Sequence, residues 1–113
     1  MTLFLALLFI KHYVADFLLQ TDEMVKEKGT YGAFGGLLHS AYHCILTFVI
    51  ASFFTTPSYA IGLAVIDFIA HYHIDWLKMN YGNSDIANKW FWRYLGLDQL
   101  AHSLTYVLLV SSI

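Results

Sequence analysis

The chain has 113 residues, of which 58% are hydrophobic, 18% aromatic and only 12% charged, with a formal net charge of −2. Charged residues at about half the share usual for soluble domains leave too little polar surface to clothe the outer faces of a soluble helical bundle. Sparse cations exclude a phosphate-tracking nucleic-acid binder, and a lone Cys44 excludes a disulfide within the chain. The composition is that of a one-domain integral membrane protein.

Four apolar segments follow in order. The first, residues 2–20, starts with Leu3 to Ile10 and then carries Lys11, His12, Asp16 and Gln20, polar groups that argue against a cleaved signal peptide. A polar connection with Asp22, Glu23, Lys26, Glu27 and Lys28 leads to the second segment, residues 33–54, with His39 and His43 near its start. Thr55-Thr56-Pro57-Ser58 is a tight turn into the third segment, residues 59–79. Residues 80–93 form another polar connection, in which Asn83-Ser84-Asp85 predicts the cap of a short helix. Trp90, Trp92 and Tyr94 beside Lys89 and Arg93 form an interfacial belt. The fourth segment, residues 94–113, carries Asp98, Gln99 and His102.

Each segment is about 20 residues, the length that spans a bilayer. The expected fold is all-α: an integral membrane four-helix bundle in one domain over residues 1–113. Lys and Arg outside the helices fall in the first and third connections, which places those loops in the cytoplasm and both termini outside. With alternating helix directions, all the embedded His and Asp groups share the cytoplasmic half. Groups scattered at random would not share a depth.

Asp67, His71 and Asp75 lie four residues apart on one helical face, a costly stripe for an apolar segment to bury. A shift of 59 residues carries His12-Tyr13 and Asp16-Phe17-Leu18 onto His71-Tyr72 and Asp75-Trp76-Leu77, and His39 and His43 onto Asp98 and His102. This pattern predicts a duplicated helical hairpin, with units at about 1–56 and 57–113, related by a pseudo-two-fold axis along the membrane normal. Asp67 and Gln20 map onto Leu8 and Met79, so any symmetry breaks there.

Imidazoles and carboxylates spaced i, i+4 on facing helices are how a bundle interior presents ligands to metal. His12, Asp16, His39, His43, His71, Asp75, Asp98 and His102 are the candidate ligands. They are more than one zinc uses, so two divalent ions are expected, zinc first and manganese or iron as alternatives. Two such ions would largely neutralise the buried acids. Asp67 is a candidate bridging ligand, general base or supporting partner, and Gln20 and Gln99 are candidates for orienting ligands or substrate. A metal-bound hydroxide at the membrane boundary would suit hydrolysis of a lipid-like or phosphorylated substrate.

Duller roles compete for each residue. A single polar pair between membrane helices is commonly hydrogen-bonding glue. His73 points away from His71, Lys11 snorkels or faces the interior, Lys78 anchors at the interface, and Cys44 packs. Gly35-Gly36 permits close helix approach. Two other function classes stay open. One is a proton or divalent-metal transporter, disfavoured by the apolar outer half. The other is a non-enzymatic membrane factor whose metal is only a staple. Homo-oligomerisation is open in every case.

The run His12-x-x-x-Asp16-Phe17-x-x-Gln20-Thr21-Asp22, then Leu38-His39, His71-x-x-x-Asp75-x-x-Lys78 and Asp98-Gln99-x-x-His102, resembles a small membrane family of bacteria and phages known as domain of unknown function 3307. The likeness covers almost the whole chain. It implies a multi-pass protein of the bacterial inner membrane and brings no established reaction. The His-x-x-x-Asp pairs are also similar to those of inner-membrane metal-dependent hydrolases, a fold-level analogy.

Overall fold

The computed structural model describes residues 1–113 and is all-helical. Helix α1 spans Thr2–Tyr13 and continues into a π-helical turn, Val14–Leu18. Helix α2 is the short Asp22–Glu27, α3 is Phe34–Ala51, α4 is Pro57–Tyr81 and α5 is Lys89–Ser111.

The helix starts follow local chemistry. Thr21 Oγ1 accepts from Met24 N at 3.2 Å to cap α2, and Thr56 Oγ1 accepts from Tyr59 N ahead of Pro57 in α4. Asn88 Oδ1 accepts from Trp90 N at 2.9 Å to cap α5. The segment Asn83-Ser84-Asp85 does not cap a helix of its own. Its side chains close short turns instead, Asn83 Oδ1 onto Asp85 N and Asp85 Oδ1 onto Ala87 N. Because Asn88 supplies the cap, α5 starts earlier than the apolar run suggests, and Trp90, Trp92 and Tyr94 lie on its first turns. Gly32, at φ 86°, makes the left-handed turn into α3, and its N–H donates to the Tyr72 hydroxyl at 2.7 Å.

Helices α1, α3, α4 and α5 form a closed ring of neighbours, α1 on α3, α3 on α4, α4 on α5 and α5 on α1. The interior divides along its length. At one end Phe4, Leu8, Ala51, Ala60, Leu63, Tyr106, Leu109 and Val110 make an apolar core, with Phe4 stacked on Phe54 at 4.8 Å. At the other end the buried side chains are almost all polar: Lys11, His39, His43, Asp67, His71, Asp75, Asp98 and His102. The outer surface is reversed, with Leu3, Ile10, Ile45, Val49, Ile61, Ile69, Leu104 and Leu108 exposed. Two of the helices, Phe34–Ala51 and Pro57–Tyr81, are long and apolar enough to cross a membrane.

Candidate metal centre

The four-residue ladders set the site. His12 and Asp16 come from the end of α1 and its π-helical turn, where Leu19 N bonds Val14 O five residues back at 3.0 Å. Single π-turns recur at functional sites because the wider turn re-aims its side chains. His39 and His43 descend from the start of α3, His71 and Asp75 from late α4, and Asp98 and His102 from early α5. Antiparallel neighbours bring these ladders to one level.

Two groups of ligand atoms converge there. Asp16, His39, His43 and His71 form the first, and His71, Asp75 and His102 the second; within each group the ligand atoms lie within 4.8 Å of one another. Asp16 Oδ1 is 3.0 Å from His39 Nε2, 2.9 Å from His43 Nε2 and 3.9 Å from His71 Nε2. His39 Nε2 and His71 Nε2 are 3.2 Å apart. Asp75 Oδ2 is 3.1 Å from His71 Nε2, while Asp75 Oδ1 is 3.2 Å from His102 Nε2. Asp98 Oδ1 stands 3.4 Å from His102 Nε2. The rings of His43, His71 and His102 stack in sequence, with centroids 3.6 Å and 4.1 Å apart.

His12 lies outside both groups and reaches the first through Asp16 Oδ2, at 3.0 Å. Asp98 accepts from Gln99 Nε2 at 3.0 Å, so Gln99 Oε1 faces His12 Nε2 at 2.9 Å and accepts from it. His12 Nδ1 is then left to accept from the Tyr106 hydroxyl at 2.7 Å. His12 and Gln99 thus join Asp16 to Asp98. Gln20 Nε2 donates to the main-chain oxygen of Asp16 at 3.0 Å, which ties the side chain to the π-turn.

Asp67 also lies outside both groups. It accepts from Lys11 Nζ at 2.8 Å and from Thr47 Oγ1 at 2.5 Å. Lys11 also contacts His43 Nδ1 at 2.8 Å and lies over the Tyr106 ring. An ammonium offers only donors, so His43 Nδ1 accepts and its Nε2 hydrogen points at Asp16. Asp67 therefore acts on the cluster through Lys11 and His43.

Three cations turn inward. Lys11 is buried beside Asp67, Lys28 Nζ lies 3.4 Å from Asp75 Oδ2, and Lys78 Nζ lies 3.7 Å from Asp98 Oδ2. Lys78 is thus an ion-pair partner of a candidate ligand and not only an interfacial anchor. Lys28, Thr47 and Tyr106 were not among the candidates from sequence. A signal for two of them existed: Thr47 extends the ladder His39–His43, and Tyr106 extends Asp98–His102, each by four residues. His73 faces elsewhere, between Ile69 O and the Tyr31 hydroxyl.

Buried polar atoms without a hydrogen-bond partner include Asp75 Oδ2, Asp98 Oδ1 and the Nδ1 atoms of His39 and His71; the nearest cation to Asp75 Oδ2 is the Lys28 ammonium at 3.4 Å. Buried carboxylate oxygens without a hydrogen bond are costly; Asp98 Oδ1 faces the His102 imidazole, and Asp75 Oδ2 faces the His71 imidazole and the Lys28 ammonium.

No curated protein and no solved structure matches the chain. A family model matches residues 4–113, and the chain accordingly belongs to the family described as protein of unknown function (DUF3307).

Proposed function

We propose that this protein is a metal-dependent hydrolase of the bacterial inner membrane, a four-helix membrane bundle with both termini outside the cytoplasm. Its apolar exterior, two span-length helices and the cations at one end favour that placement. The observation that carries the metal reading is the convergence of Asp16 Oδ1 with the Nε2 atoms of His39, His43 and His71. A tetrahedral zinc ion with ligands at about 2.0–2.1 Å has ligand–ligand edges of about 3.3–3.4 Å. The observed separations of 2.9, 3.0, 3.2 and 3.9 Å bracket that value.

The first group would hold one ion in a filled shell of Asp16, His39, His43 and His71, and binding would displace the hydrogen from His43 Nε2. The second ion would take Asp75 and His102 of the second group together with the neighbouring Asp98, whose Oδ1 stands 3.4 Å from His102 Nε2 and has no hydrogen bond. Three protein ligands leave a position for water, the mark of a catalytic site. Zinc suits these ligands best, with manganese or iron as alternatives. A metal so placed supplies a hydroxide nucleophile near neutral pH and polarises a phosphoryl or acyl oxygen. The chain's own residues do the rest. Gln99 and Tyr106 fix the His12 ring, His12 fixes Asp16, and Lys11 relays the charge of Asp67 to His43. Lys28 and Lys78 provide positive charge on the cytoplasmic side of the second group.

One contact favours a second reading. With Lys11 donating to its Nδ1, His43 is wired for proton transfer along Asp67–Lys11–His43–Asp16, as in a proton or ion transporter. That chain ends against the apolar core of Phe4, Leu8 and Leu63, so transport is the weaker alternative. A purely structural metal would need no access, whereas Asp98, beside the second group, lines a cavity between α4 and α5.

The test is elemental analysis of protein purified in detergent, followed by assay of the metal-loaded sample on alkyl phosphate esters. Two ions per chain and hydrolysis lost in Asp75→Asn are expected. Absence of bound metal after supplementation ends the metal reading; loaded but inert protein ends the hydrolase reading.

A further inference from the structure

Lys78 stands where two cavities meet. One, of about 240 Å³, opens between α4 and α5 and is lined by Ile74, Leu77, Leu97 and Ala101, with Lys78 and Asp98 also in its wall. The other, of about 310 Å³, shares Lys78 and Tyr94 and includes the polar residues Asn83 and Ser84 of the connecting loop. Leu77 and Leu97 are exposed on the outer surface at the mouth of the first cavity, so its apolar wall continues onto the face that lipid chains would cover. The lysine is partly exposed, whereas its partner Asp98 is buried. At 3.7 Å their contact is long for a charge-assisted hydrogen bond, which leaves the ammonium able to turn to another anion.

We propose that the α4–α5 cleft binds a membrane amphiphile with an anionic headgroup, entering sideways from the bilayer. Lys78 takes the headgroup's negative charge at the level of Asn83 and Ser84, and Ile74, Leu77, Leu97 and Ala101 hold the first part of the chain. This assignment rests on the metal reading in one respect. A cation on Asp75, Asp98 and His102 neutralises Asp98, so that Lys78 is free for the ligand and the headgroup meets no bare carboxylate. The apolar walls select for a chain, and a free inorganic anion would gain nothing from them. A snorkelling anchor would explain the position of Lys78 but not its place between the apolar α4–α5 cleft and a second cavity whose wall carries Asn83 and Ser84.

The experiment uses full-length protein in phosphatidylcholine nanodiscs and a dodecyl phosphate carrying a photoactivatable diazirine on its chain. Adducts are mapped by mass spectrometry, and metal is counted on the same samples. Labelling should concentrate on the peptides holding Leu77 and Leu97. Lys78→Gln should weaken it about tenfold, as loss of a charged hydrogen bond implies, while Lys78→Arg retains it. Leu97→Trp, which fills the cleft, should reduce labelling with the metal content unchanged. Equal labelling of wild type and Lys78→Gln overturns the proposal, as does inorganic phosphate that competes as well as unlabelled dodecyl phosphate. Metal-loaded protein without adducts at the cleft overturns it and leaves the metal centre standing. Lys78-dependent labelling of a protein that holds no metal retains the cleft and removes the metal centre.

Discussion

His43 Nε2 lies 2.9 Å from Asp16 Oδ1, and 59 residues later the same contact recurs between His102 Nε2 and Asp75 Oδ1 at 3.2 Å. The pairs within each helix recur too, His12 with Asp16 at 3.0 Å and His71 with Asp75 at 3.1 Å. The difference lies at the fourth position. His39 in the first half corresponds to Asp98 in the second, so the second set of four has one more carboxylate and one fewer imidazole than the first. Asp16→Asn should therefore remove the first ion and Asp75→Asn the second, each lowering the metal content from two to one per chain. Elemental analysis of the two variants checks this. Loss of both ions in either variant would mean a single coupled site.

The ion pair of Lys11 with Asp67 gives a prediction about stability. Both groups are buried, and Thr47 adds a hydrogen bond to the same carboxylate oxygen. Removing one partner leaves the other charge uncompensated, at a cost of about 3–5 kcal/mol. Lys11→Met and Asp67→Leu should each lower the thermal midpoint in detergent sharply, and the double variant should recover most of the loss. A double variant as unstable as the sum of the singles would show that the two residues act independently. Metal binding should weaken most in the variants that lack Lys11, which touches His43 directly, and less in Asp67→Leu, which acts on His43 only through Lys11.

The sequence carried the ladders openly, because four-residue spacing survives any packing of the helices. His12, His39, His43, His71, Asp75 and His102 were legible as one cluster for that reason. The π-turn at Asp16 was not, since a five-residue hydrogen bond leaves no mark in composition. The inward lysines were hidden by their chemistry. Lys28 sits in a charged connection and Lys78 near a helix end, where solvated cations are the rule. Only the fold shows Lys28 beside Asp75 and Lys78 beside Asp98. Asp67 was visible as an anomaly, yet its partner Lys11 lies 56 residues away, beyond the reach of periodicity.

Tyr106 orients His12, and that role can be measured without touching a candidate ligand. Its hydroxyl lies 2.7 Å from His12 Nδ1, and its ring packs beneath Lys11. Tyr106→Phe keeps the ring and removes the hydroxyl. Outer partners of this kind are worth about 10–100-fold in metal affinity. A competition titration with a chelating dye should show a loss in that range for Tyr106→Phe and for Gln99→Leu, with the far-ultraviolet circular dichroism unchanged. Unaltered affinity in both variants would confine His12 to packing.

The proposed topology places the α3–α4 connection outside and the α4–α5 connection in the cytoplasm. Cys44 is the only cysteine, so a Cys44→Ser background allows single-cysteine mapping. Thr55→Cys should react with a membrane-impermeant maleimide on spheroplasts, and Ala87→Cys should react only after lysis. The reverse pattern would invert the protein, labelling of both positions on spheroplasts would remove the crossing by α4, and labelling of neither before lysis would remove the external α3–α4 connection.

Gly35 and Gly36 let α2 close over the start of α3, a short helix rather than a neighbouring span. A Cβ on Gly35 would stand 2.9 Å from Glu27 Oε2 and 3.1 Å from the Glu23 main-chain oxygen. The Gly35 N–H donates to that Glu27 carboxylate. A Cβ on Gly36 would stand 3.3 Å from Lys28 Cα. The glutamate side chain can yield, but the main-chain oxygen moves only with α2. Gly35→Leu should therefore lift α2 and draw Lys28 away from Asp75, leaving the packing of α1, α3, α4 and α5 intact. Hydrogen exchange is the direct measure, with faster exchange expected for the amides of Val25 to Lys28 and none for those of α4. In the same variant the second ion, next to Asp75, should bind more tightly, because a competing cation has been withdrawn. Slower exchange in α2, or weaker binding of that ion, would show that Lys28 supports the metal site rather than competing with it.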